Sequence, residues 1–160
     1  MDDLRARAAS GYLEAKVRSA SPVELISMLY EGLVRELRVA VSCLEKGDVA
    51  ARGLAVGHAV GILGELRSSV NHETGGEIAT NLERLYAFWT GRITEANIRS
   101  VRGPIDTVLA QLEPLRAAWD QGVLAAARGA TAAQVAAVAV SASPRPAAAA
   151  ALARAAGGAR

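Results

Sequence analysis

Reactive side chains are scarce in this chain of 160 residues, which has one cysteine, two histidines and only two lysines against sixteen arginines. Cys43 stands alone, so no intramolecular disulfide can form, a pattern that fits a reducing cytosol. It lies between Val41 and Leu44 on a helical pattern and reads as a small core residue. His58 and His72 are fourteen residues apart, with no Cys or paired carboxylate at ligand spacing, which argues against a metal site. No Gly-x-Gly-x-x-Gly follows a strand, no Walker loop is present, and Ser68-Ser69 lacks the surroundings of a nucleophile elbow. The chain is therefore expected to be no enzyme and to carry no cofactor. Long hydrophobic runs are missing too. The longest weakly apolar stretch, around Ala132 to Ala142, is too short and too rich in alanine to span a bilayer. The opening MDDLRARAAS begins acidic and lacks an apolar run, so it does not read as a signal peptide. These absences predict a soluble protein without membrane insertion.

Acidic residues are absent after Asp120. Residues 121–160 hold Arg128, Arg145, Arg154 and Arg160, while residues 1–120 hold the other fourteen basic residues and all sixteen acidic ones, a net −2. The formal charge of +2 and the basic pI of about 9.0 thus originate in the tail. No basic patch with interleaved aromatics marks the folded part, so nucleic acid is not an expected partner.

A strand period of two is also missing, and helical periods take its place. Residues 1–20 read as a flexible arm bearing Tyr12, Leu13 and Val17. Ser21-Pro22-Val23-Glu24 then has the form of a capping box with proline in the first turn. Leu25, Met28, Leu29, Leu33, Leu37, Val41 and Leu44 continue as an apolar stripe to about Lys46. Gly47 stops this helix and Asp48 can cap the next. The second helix, about 49–70, has its apolar face at Leu54, Ile62, Leu63, Leu66 and Val70. Gly53, Gly57 and Gly61 recur every four residues along it, either for close approach of a neighbouring backbone or as the floor of a shallow groove. A fourth helix, about 103–120, carries Ile105, Val108, Leu109, Leu112, Leu115 and Trp119, with Pro114 expected to kink it. The 40 residues after Asp120 include 19 alanines and read as a poorly ordered tail, in which Thr131–Gln134 can start one short helix bearing Val135 and Val138.

The third helix is the most informative. Asn71–Gly76 reads as a loop, and Gly75 to Asn97 follows as GGEIATNLERLYAFWTGRITEAN. Ile78, Leu82, Leu85, Tyr86, Trp89, Ile93 and Ala96 recur at steps of three and four, one stripe that needs partner helices to cover it. Asn81, Arg84, Arg92 and Glu95 lie opposite. Arg92 and Arg99 flank Glu95 at the spacing of intra-helical ion pairs, with anchoring of a loop or bound peptide as the other reading. Tyr30, Tyr86, Trp89 and Trp119 are expected in the core. Tyr12 lies outside any strong pattern, and is either disordered or tucked into a groove of the bundle. Four amphipathic helices with short connections predict an all-α antiparallel four-helix bundle over residues 21–120, between an arm (1–20) and an Ala-rich tail (121–160).

Three motifs carry a resemblance. Tyr12, Val17, Ser19-Ala20-Ser21-Pro22 and Met28-Leu29-Tyr30-Glu31-Gly32 form the first. Gly75 to Leu82, Leu85-Tyr86, and Arg92 with Glu95-Ala96-Asn97 form the second. Leu112, Leu115-Arg116, Ala118 and Trp119 form the third. In order and spacing over about residues 12–120, the chain resembles the FliS-type flagellar export chaperones.

The resemblance implies a cytosolic helical chaperone that binds the C-terminal segment of flagellin, prevents its premature polymerisation and delivers it to the flagellar type III export apparatus. Export-gate and flagellar regulatory proteins are the further partners it suggests. It also implies that the N-terminal arm, here Tyr12 and Val17, occupies part of the client groove and is displaced by client. Candidate groove positions are Ile62, Leu66, Ile78, Leu82, Tyr86 and Ile93, most of which the period also allows in the core. Asn81, Arg92, Glu95 and Asn97 match the family's polar motif, either as a structural network or as a partner contact. The alternative function is a helical adaptor or regulator of flagellar assembly acting through another protein. Oligomeric state is not legible in the sequence.

Overall fold

The computed structural model describes residues 2–127 and 151–155, and within these every regular element is helical. In chain order they are α1 (Asp2–Ser19), α2 (Pro22–Lys46), α3 (Val49–Ser69), α4 (His72–Arg99) and α5 (Gly103–Ala127). A further short helical segment spans 151–155. The short helix expected near Val135 and Val138 lies outside the described residues.

Local chemistry sets the boundaries. At the start of α2 the capping box is complete, because Ser21 Oγ accepts from the Glu24 amide (3.2 Å) and Glu24 Oε2 accepts from the Ser21 amide (2.7 Å). Gly47 ends α2 at φ 70°, a left-handed conformation that suits a residue without Cβ. Asp48 Oδ1 then takes the Ala51 amide, so α3 begins immediately. The loop expected at Asn71–Gly76 is shorter than its letters suggest. Asn71 caps a first turn through the amides of Glu73 and Thr74, and the break falls at Gly76, where φ is 49° and ψ −127°. Helix α4 proper resumes after it. Ser100, also left-handed, closes α4.

Helices α2, α3, α4 and α5 pack in a ring, each against its chain neighbour and α5 back against α2. This is the expected antiparallel bundle. Its centre is dry: Leu29, Leu33 and Leu37 of α2, Ile62 and Leu63 of α3, Trp89 and Ile93 of α4, and Ile105, Val108 and Leu112 of α5 are fully buried. Burial of each such side chain is worth roughly 1.5–3 kcal/mol. Arg102 braces the α4–α5 connection, reaching Glu45 at the end of α2 (2.7 Å) and Asp106 in the first turn of α5 (2.9 Å).

Three expectations are corrected. Helix α5 does not end near Asp120 but runs through Pro114 to Ala127. The carbonyl the proline cannot serve belongs to Ala110, and both residues lie on the solvent side, where water can replace the lost bond. Leu54 is exposed, and the small residues Ala55, Val56 and Ala59 take the inward face of α3 in its stead. Finally, among the described residues α3 is long and apolar enough to cross a bilayer by composition, a property the sequence reading assigned to no segment. Its large side chains are nonetheless committed to the bundle core through Ile62, Leu63 and Leu66.

Candidate client-binding surface

The motifs that carry the resemblance meet at one aromatic cluster inside the bundle. The hydroxyls of Tyr30 on α2 and Tyr86 on α4 share a buried hydrogen bond. The Trp119 ring of α5 stands edge-on to Tyr30, centroids 6.1 Å apart at 73°, and its indole N–H donates to the Val23 carbonyl (3.2 Å). Trp89 packs against Tyr86 at 5.8 Å and donates to Gln111 Oε1 of α5 (2.8 Å). Burial pushes the Tyr30 phenol up to about 12, and burial together with Tyr30 raises that of Tyr86 further. Both stay neutral at cellular pH. The cluster is a structural keystone and offers no open face.

The polar motif divides. Asn97 is structural: its Oδ1 and backbone carbonyl receive Nε and an Nη of Arg52 on α3, at 3.0 and 3.2 Å. Arg52 is buried, and the carbonyl it meets lies in the last turn of α4, the negative end of that helix. Arg52 does not stand out in the sequence, because an arginine inside a Gly/Ala-rich helix looks like an ordinary surface charge. Arg92 and Arg99 both pair with Glu95, at 2.6 and 2.8 Å, along the exposed side of α4. The Arg92 Nε is buried without a hydrogen-bond partner among the described residues. Asn81 is exposed.

Of the six candidate groove residues, four are core. Ile62, Leu66, Tyr86 and Ile93 are buried, because they point along the direction in which α4 and α3 face the other helices. Ile78 and Leu82 are different. Ile78 is 59% exposed and Leu82 only half-buried, although both lie on the line that further along carries Trp89 and Ile93. Half-buried Leu85 and Phe88, 48% exposed, extend this row. The row lies on the flank of α4 nearer α5: Leu85 precedes Trp89, which reaches Gln111, by one turn, whereas Glu83 on the other flank faces Arg67 of α3 (3.7 Å). Phe88 is missed by the single-stripe reading. Its signal is that the apolar positions of α4 span a wider arc than one core face requires.

Two other sequence features find their places. Val17 is buried and Leu13, one turn before it, packs partly against the core, so α1 is pinned by its second half. Tyr12 is 72% exposed, and so does not occupy a groove in this structure. The glycine row of α3 faces outward: a Cβ at Gly53, Gly57, Gly61 or Gly64 would have no foreign atom within 4 Å among the described residues, so close packing within the bundle is not its cause. Among the described residues no three His, Cys, Asp or Glu side chains converge as metal ligands.

Comparison with known proteins follows this architecture. Residues 5–127 match the family model described as "Flagellar protein FliS". The chain is 41% identical over 110 residues to the flagellar secretion chaperone FliS of Salmonella typhimurium, covering 68% of this chain and 82% of the relative. It is 37% identical over 108 residues to the flagellar secretion chaperone FliSB of Pseudomonas aeruginosa, covering 68% and 86%. A more distant relative, the FliS chaperone of Bacillus subtilis, is 27% identical over 114 residues. The chain belongs to the FliS family, whose members named here are chaperones and not enzymes.

Proposed function

We propose that this protein is a cytosolic flagellar secretion chaperone whose client is the C-terminal segment of flagellin, and that it holds this segment until delivery to the type III export apparatus. The observation that carries the reading is the row Ile78, Leu82, Leu85 and Phe88 on α4, an apolar surface remaining on a bundle whose core is already closed. A partly exposed row of this kind suits an amphipathic helix laid across it, the helix-in-groove mode of recognition. Covering the client's apolar stripe removes the surface through which subunits would otherwise associate. A client that orders as it binds loses several kcal/mol to that ordering, which keeps affinity low enough for later release.

The arm has a defined part in this reading. Val17 and Leu13 tether α1, and client entering nearby competes with them. Deleting residues 1–18 is expected to strengthen or speed client binding, and unchanged affinity and rate would remove the arm from the mechanism. The primary test is calorimetric titration of the full chain with a peptide of the cognate flagellin C-terminal segment. A 1:1 complex is expected. Its absence would sink the flagellin assignment and leave an adaptor acting through another protein as the alternative.

A further inference from the structure

The last described segment, 151–155, lies within the Ala-rich tail yet is packed like core. Leu152 is 2% exposed, Ala151 and Ala155 are also buried, and Arg154 faces solvent. Positions 151, 152 and 155 share one face of a helix. Helices in proteins draw most of their stability from tertiary packing of an apolar face, and here that face is Ala151, Leu152 and Ala155.

That surface centres on Gly32. A Cβ built at Gly32 would lie 3.0 Å from Leu152 Cδ2 and 3.3 Å from Ile62 Cδ1. Gly32 belongs to α2 and Ile62 to α3, so the leucine sits over the seam between these helices. The contrast with α3 is informative. Glycines 53, 57, 61 and 64 face open space, whereas Gly32 is buried, and two side chains already fill the volume its Cβ would need. Glycine within a helix is intrinsically unfavourable relative to alanine. At Gly32 the missing side chain makes the depression that Leu152 enters.

We infer that the cleft over Gly32 is a helix-docking site whose occupant is the chain's own 151–155 segment, an internal strap that the client must displace. The strap suits the site because Ala151 and Ala155, on either side of Leu152, allow its backbone to approach closely. Docking within one chain loses little translational freedom, so three small apolar side chains suffice to fill the cleft. An extended client that lays one stretch of its apolar stripe on the α4 row and another over the α2–α3 seam outcompetes it. Only this competition rests on the chaperone reading; the docking itself does not.

The test uses four full-length chains: wild type, Gly32→Ala, Leu152→Ala and the double variant. An alanine Cβ at position 32 conflicts with Leu152, so Gly32→Ala should lower Tm by at least about 2 °C more in the wild-type background than in the Leu152→Ala background. Additive effects overturn the docking. Leu152→Asp, which alters only the tail, should speed tryptic cleavage after Arg154 by about tenfold or more, because local order shields that bond. An unchanged cleavage rate also overturns the docking. Wild-type protection that grows with protein concentration overturns docking in cis and assigns the strap to a second copy. Calorimetry with the flagellin C-terminal peptide tests competition: a strap docked nine-tenths of the time weakens apparent affinity about tenfold, so Leu152→Asp should bind about tenfold tighter. Equal affinities overturn the strap's role. If neither chain binds the peptide, the chaperone reading and the competition both fail, while the melting and cleavage results still decide the docking.

Discussion

At the scale of single residues, the family's signature letters turn out to be contacts with one another more than contacts with a client. Tyr30 and Tyr86 are separated by more than half the bundle in sequence, yet their hydroxyls bond to each other in the core. Removing one hydroxyl leaves the other buried without a partner, which costs about 1–3 kcal/mol. Tyr86→Phe and Tyr30→Phe should therefore each destabilise the chain, and the double variant should lose less than their sum, as urea melts of the three variants would reveal. The same pair predicts alkaline behaviour. Folding raises both phenol pKa values, so the unfolded chain releases these protons first. Their contribution to stability is complete below pH of about 10 and declines as pH rises through the window up to about 12. The double phenylalanine variant should show a flatter loss over that range. Arg52 and Asn97 follow a similar logic: a buried cation is held at a helix C-terminus, and the asparagine of the motif is there to receive it.

At the scale of elements, α3 and α4 separate packing from surface. Helix α3 reaches its partners through Ala55, Ala59, Ile62, Leu63 and Leu66, and turns a glycine row to solvent. That row contributes nothing to close packing, so each glycine there weakens the helix by up to about 1 kcal/mol relative to alanine. Gly57→Ala and Gly61→Ala should each raise thermal stability by a fraction of that amount, measurable as an upward Tm shift. Gly32→Ala should do the reverse, because the space at that position is filled. Two substitutions of one chemistry thus take opposite signs according to what surrounds them. Pro114 teaches a related lesson: a proline inside a helix is tolerated where its orphaned carbonyl faces water.

At the scale of the whole molecule, a bundle can satisfy its own core and still leave helix faces uncovered. Helix α4 carries Ile78, Leu82 and Phe88 on surface that no other helix of the ring fully covers. Ile78→Asp and Phe88→Asp should leave circular dichroism and Tm close to wild type while weakening flagellin-peptide binding by about tenfold or more, as loss of an interface anchor does. Ile93→Asp, two turns beyond Leu85 on the buried line, should instead unfold the chain, since it places an unpaired charge in the core. Binding lost only together with helical content would show that the row is structural and not a client surface.

The sequence by itself determined the helical class, the start and end of α2 and the start of α3, most of the core and the family, because these follow from local chemistry and periodicity. Ser21, Pro22, Gly47 and Asp48 act on their immediate neighbours, and a repeat of three and four can be read without knowing what covers it. Only the tertiary structure decided which positions of the α4 stripe are core. Ile78, Leu82, Tyr86 and Ile93 obey one period, yet their burial differs: near the start of α4 the neighbours bury Ala79 and leave Ile78 exposed, whereas further along they bury Tyr86 and Ile93. Periodicity records direction around a helix and is blind to how far along it the partners extend. For the same reason periodicity marks neither Arg52 nor Leu152. Their roles depend on Asn97 and Gly32, residues distant in the chain and brought beside them only by folding.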